Sequence, residues 1–349
     1  FRLRKSRLYL DIGLVAMKKN LRMASEVIGA WGKILAGYTP ILSIEITREC
    51  PLACPGCYAY NPAHLGGGIT LRELQDKKGK DLVDGILHLV ASQKPLHVSL
   101  VGGEPLVRAR ELEEILPRLS QTGIHVQLVT SGVRALPLSW AGIPRLTICI
   151  SIDGLQPEHD KRRKPATYER ILKNIQGHHI TVHCTVTRQQ AQQQDYLERF
   201  VQFWSEQPAA EKIWMSLYTP QKNELSEERL TPEDRRRVIE DLLRLRTLYP
   251  KLDMPKELIR VYADPPDSPA DCIFAQASTC VSSDLQKKIT PCQFGGDPDC
   301  RNCGCMASAG LEAIGRHRLK FGLEAGDLFK YSQKIGNLVA SMRSLKDHR

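Results

Sequence analysis

Three cysteines fall within eight residues, in the run Cys50-Pro-Leu-Ala-Cys54-Pro-Gly-Cys57-Tyr58. Thiolates at this density bind metal or exchange electrons. Structural zinc takes four ligands, usually in two spaced pairs, so a triplet is one ligand short of a closed site; a four-iron cluster gripped by three thiolates keeps one iron open to a substrate or cofactor. A redox dithiol at Cys54 and Cys57 is the competing reading, and it leaves Cys50 without a role. Six more cysteines crowd the stretch from Cys272 to Cys305. There the spacing between Cys280 and Cys292 reads as a hairpin that brings two thiols together. Four of Cys280, Cys292, Cys300, Cys303 and Cys305 then make a second, fully ligated site, with Cys272 as a spare. Zinc on four sulfurs is the rival for that site, and iron-sulfur is preferred because the first triplet already commits the chain to iron. Cys149 and Cys184 stand alone.

Elements must bring these residues together. Strand patterns fall at Ile41 to Thr47, Leu96 to Val101, His125 to Thr130, Arg145 to Ile152, His179 to Thr187 and Ile213 to Tyr218. Helical patterns alternate with them near 71–92, 107–121, 167–176, 191–206 and 232–247. This order predicts an α/β fold, a partial (β/α)6 TIM-like barrel with a small cysteine-rich C-terminal extension. The expected division is an N-terminal helix over 1–40, the barrel over 41–260 and the extension over 261–349, with Pro265, Pro266 and Pro269 in the linker. The first cysteine triplet follows the first strand, at the carboxyl end where parallel α/β folds place their chemistry. Gly102-Gly103-Glu104-Pro105 follows the second strand and Thr130-Ser131-Gly132 the third; Ser151-Ile152-Asp153-Gly154 and then His159 to Arg163 follow the fourth. Period-two alternation assigns Ser43, Glu45, His97, Ser99, Thr147, Cys149, Ser151, His183, Thr185, Ser216 and Tyr218 to the lumen face and Cys184 to the core. Cys149 and Tyr218 are the lumen candidates for a catalytic role; for Cys149 a packed lumen side chain is the plainer reading.

The triplet and the turns that follow the strands resemble the radical S-adenosylmethionine superfamily. That resemblance implies that Cys50, Cys54 and Cys57 hold a [4Fe-4S] cluster whose open iron chelates S-adenosylmethionine. It further implies that Tyr58, Gly102, Gly103, Glu104, Pro105, Ser131, Ser151, Asp153 and Arg163 bind the cofactor, with the backbone of the Gly102–Pro105 turn and the acid of Glu104 on its amino group. The reaction implied is reductive cleavage to methionine and a 5'-deoxyadenosyl radical, which acts on an unactivated carbon. Gly56 departs from the many members that place an aromatic residue before the last cysteine, leaving one side of the cluster less covered. The tail resembles the auxiliary-cluster extensions of the SPASM and twitch kind, in particular those of adenosylhopane synthase and related lipid-modifying members. Cys305 follows Cys303 more closely than in those relatives.

The rest of the chain bounds partners. At 349 residues and net charge +10, with no apolar run long enough to span a bilayer, it reads as globular and cytoplasmic. Phe1 to Asn20 lacks a secretory cleavage pattern. Residues 1–40 hold eight basic and two acidic side chains. Leu14, Met17, Leu21, Ala24, Ile28, Trp31 and Leu35 recur at helical steps over 8–36, either to pack on the domain or to lie on a membrane surface through residues 1–36. A small-molecule or lipid substrate is expected, with a one-electron donor such as flavodoxin or ferredoxin. A peptide or protein maturase is the alternative, followed by RNA modification, for which no recognised nucleic-acid module exists, and by a non-enzymatic iron-sulfur electron carrier. A carrier has no need of a pocket after the second and fourth strands.

Overall fold

A computed structural model of the chain describes residues 29–61, 63–65, 75–165, 167–318 and 322–347. Most of the amphipathic helix expected over 8–36 therefore lies outside the described residues. Its last turns are seen as a helix at 29–35. Ile34 of this helix is buried with Ile273, Ala277 and Phe329, and Trp31 packs against that cluster, whereas Leu35 is 41% exposed.

Six strands occur where the alternation places them: β1 (Ile41–Glu45), β2 (His97–Val101), β3 (His125–Thr130), β4 (Leu146–Ser151), β5 (Ile180–Val186) and β6 (Ala210–Leu217). All neighbouring pairs are parallel. Helices Gly79–Gln93, Ala109–Gln121, Tyr168–Asn174 and Tyr196–Glu206 make the crossovers, and Pro232–Leu248 follows β6. Leu42, Ile44, Val98, Leu100, Val126, Leu128, Ile148, Ile150, Val182 and Cys184 form the face that joins these helices in one core. Burying this face is the main drive for the sheet to form. The opposite face carries Ser43, Glu45, Thr181 and Ser216, buried but polar, as expected of a packed lumen.

A seventh strand was not foreseen. β7 (Ser278–Val281) leaves the tail and adds to the outer edge of β1 in parallel, giving the order β6-β5-β4-β3-β2-β1-β7. The expected hairpin is present beside it: Ile289 N–H donates to Cys280 at 2.9 Å and Ser282 N–H to Lys287 at 2.9 Å. Its first arm serves both the hairpin and the sheet, with Cys280 in register with Ser43. Four residues are too few for alternation to announce a strand. The tail therefore completes the barrel sheet.

Candidate functional site

The loops that leave the carboxyl ends of β1 and β2 are hydrogen-bonded to each other. Gly103 N–H donates to Thr47 at 2.8 Å and Glu104 N–H to Glu49 at 2.9 Å. A Cβ at Gly102 would lie 2.5 Å from the Thr47 oxygen, and one at Gly103 2.5 Å from that of Glu49. Only glycines permit this approach, which brings the second turn beside the lead-in to Cys50.

Glu104 is 1% exposed, and both of its carboxylate oxygens are taken. One accepts from Leu106 N–H at 2.9 Å and from the Thr130 hydroxyl; the other accepts from Ser131 N–H at 2.8 Å and from the Ser131 hydroxyl. The sequence reading gave this acid to the cofactor's amino group. In the structure it clasps the loops after β2 and β3, together with Ser131.

Asp153, beyond β4, is likewise occupied. It accepts from the guanidinium groups of Arg162 and Arg163 and from Thr185 N–H at 3.1 Å. Burial alone would push its carboxyl up, but Arg163 and Arg162 hold it well below the usual carboxylate range. Arg162 forks onto Glu228 at 2.7 and 2.8 Å, so the segment after β4 is tied to the loop after β6. Arg163 was singled out from the sequence and Arg162 was not, although the two form one clamp. Both guanidinium groups act on Cys54, whose thiol is pushed up by burial and drawn back by Arg163. Ser151 ends β4 on the lumen side, in register with His183 of β5.

Cys50 is pushed up to about 11 by burial. Loading with metal therefore has to displace its proton, which iron does readily. None of the eleven cysteines is in a disulfide. Among the described residues no three of His, Cys, Asp and Glu are drawn together tightly enough for a single metal ion. Cys54 and Cys57 lie within electrostatic reach of Cys50, and three thiolates with one iron left open are a donor set that a four-iron cluster takes. Cys54, Cys57, Tyr58 and Tyr60 face Tyr218, Gln221 and Glu224 across a cavity of about 310 Å³. Cys50 lines a second one of about 400 Å³ with Glu49, Arg134 and Arg170. Tyr58, which lines the first of these cavities, sets its ring against His64 and Phe294, at centroid distances of 5.5 and 5.2 Å. Cys149 lies deep in the lumen, and burial pushes its thiol up to about 12. Cys184 is in the core, as alternation indicated.

In the tail, Cys292, Cys300, Cys303 and Cys305 each lie within electrostatic reach of Cys272. The spare cysteine of the sequence reading is thus among them. Cys280 is within reach of Cys292 but packs in a separate apolar cluster with Leu65 and Ile289.

Sequence reasoning also missed a partly buried charged network beside the first loop. Arg108 reaches Glu49 at 2.8 Å and Asp76 at 3.4 Å, and the Thr47 hydroxyl donates to Asp76 at 2.6 Å. Nothing in local spacing announces partners about 30 and 60 residues apart.

An all-parallel sheet with a cysteine triad after its first strand defines a class, and comparison with known proteins identifies it. Residues 44–187 match the family model of the radical SAM superfamily. The match runs from the end of β1 through β5, and members of that family use a [4Fe-4S] cluster and S-adenosylmethionine. The chain is 35% identical over 123 residues to the PqqA peptide cyclase of Rhizobium meliloti, covering 34% of this chain and 30% of that one. It is 32% identical over 143 residues to the AdoMet-dependent heme synthase of Methanosarcina barkeri, covering 39% and 38%. The matched regions thus span about a third of these relatives' lengths. Among solved structures, SuiB of Streptococcus suis bound to its precursor peptide SuiA superposes with a TM-score of 0.54 at 17% identity, over 79% of this chain and 65% of that one. That likeness is one of fold.

Proposed function

We propose that this protein is a radical SAM enzyme that modifies a peptide. In this reading Cys50, Cys54 and Cys57 hold the [4Fe-4S] cluster, and the tail thiols hold a second iron-sulfur cluster of the SPASM or twitch kind. The tail set includes Cys272 and leaves out Cys280. When bound, the first cluster and S-adenosylmethionine supply a 5'-deoxyadenosyl radical after one electron from a donor such as flavodoxin or ferredoxin. The chain's residues bind and exclude. The Gly102–Gly103 backbone and the Ser151 hydroxyl orient the amino-acid end of the cofactor. Arg163, held by Asp153, balances negative charge beside Cys54. The buried lumen keeps water and stray hydrogen donors from the radical.

The observation that carries the chemistry is the triad's position at the end of β1, beside the glycine turn of β2 and the Asp153–Arg163 pair of β4. The substrate class rests on the PqqA peptide cyclase among the relatives and on the fold neighbour solved with a precursor peptide; the other relative is named a heme synthase. A lipid substrate, expected from the tail and the basic N-terminus, finds no support among them. A deuterium-transfer assay decides between the two. The reconstituted enzyme is turned over with fully deuterated peptides or with deuterated lipids, and the 5'-deoxyadenosine is weighed. Deuterium arriving from the peptide pool alone supports the proposal, and deuterium arriving from the lipids overturns it.

A further inference from the structure

The loops that carry the two cysteine groups, far apart in sequence, both pack at the end of β6. Leu217, the last residue of β6, donates its N–H to the Gly304 carbonyl at 2.9 Å, and Gly304 N–H donates to the Thr219 hydroxyl at 2.9 Å. The segment Cys303-Gly304-Cys305 is thereby stitched to β6 on both sides of Tyr218. A Cβ at Gly304 would lie 2.1 Å from the Leu217 oxygen, so the contact is one that only glycine allows. Tyr218 itself is 5% exposed and points the other way, toward the first loop. At Gly56, where φ is +61°, a Cβ would lie 2.9 Å from the Tyr218 hydroxyl oxygen and 3.1 Å from its ring. The phenol donates onward to Glu224.

We propose that Tyr218 is a positioning residue: its ring walls the Gly56 turn between Cys54 and Cys57, and the tail's Cys303–Cys305 segment holds it there. The aromatic cover missing at position 56 is supplied by the residue that follows β6. The tail thereby governs how well the first cluster is shielded, without lending it a ligand. This inference rests on the reading that Cys50, Cys54 and Cys57 hold an iron-sulfur cluster.

The test uses the full chain, reconstituted without oxygen and then exposed to air for set times. After reduction, the part of the electron paramagnetic resonance signal that shifts on adding S-adenosylmethionine reports the first cluster alone. Tyr218→Ala is expected to lose that signal about tenfold faster than the parent, the scale on which supporting residues act at metal sites. Tyr218→Phe, which keeps the ring, should lose it at the parental rate. Gly304→Ala, which keeps the Tyr218 side chain but drives away the tail segment that holds it, should lose it faster as well. Parental decay in Tyr218→Ala or in Gly304→Ala, or equal decay in the Phe and Ala variants, overturns the inference. A parent with no signal that responds to S-adenosylmethionine overturns the reading beneath it instead.

Discussion

The imidazole of His64 donates from Nδ1 to the carbonyl oxygen of Phe294 at 2.7 Å, across 230 residues of chain. Its Nε2 meets Oε1 of Glu45 at 2.7 Å, and the ring is fully buried. The stretch after the first cysteine loop, the end of β1 and the tail are therefore tied at one side chain.

His64→Ala would leave the Phe294 carbonyl without its donor and leave the buried Glu45 carboxyl only Arg48, at 3.5 Å. The expected loss is about 2–4 kcal/mol of stability. Urea unfolding of the metal-free chain measures it, and a loss below about 0.5 kcal/mol, the range of a surface change, would refute this role.

The placement of Cys272 leads to a contrast between two cysteines. Cys272→Ser should cost the chain about four of about eight irons, whereas Cys280→Ser should keep them, because Cys280 sits in β7 with Leu65 and Ile289. An iron and sulfide count on the reconstituted proteins checks this. Loss of iron from Cys280→Ser with none from Cys272→Ser would restore the assignment made from the hairpin spacing.

His183 lies in the lumen with its Nε2 2.8 Å from the Ser216 hydroxyl, and burial pushes the ring down from 6.5 to about 4. Below pH 6.5 the unfolded chain takes up a proton here that the folded chain refuses until about pH 4, so stability falls as pH drops through that window. The full contribution is on the order of 3 kcal/mol, since one unit corresponds to about 1.4 kcal/mol. Urea unfolding across the window should show a shallower slope for His183→Gln than for the parent. An unchanged slope would assign the loss to other groups.

Much of the site was legible because its parts obey local rules. Alternation placed Cys149 and Cys184 on opposite faces, since period two follows from backbone geometry. The turns after β1, β2 and β4 were found because parallel sheets carry their chemistry at one end. What stayed hidden depends on distant partners. Glu104 carries no local mark of its clasp on Thr130 and Ser131, and Cys272 meets the other tail thiols only once helix Ile273–Ala277 and β7 have packed. In the helix at 29–35, the stripe read from the sequence includes Leu35, but tertiary packing buries its neighbour Ile34 instead.

Formation of 5'-deoxyadenosine from S-adenosylmethionine by the anaerobically reconstituted, dithionite-reduced chain tests the whole account. The nucleoside should form with the parent and vanish when Cys50, Cys54 and Cys57 are replaced by alanine. Its absence at full iron loading, or its undiminished formation without those three thiols, would contradict the account.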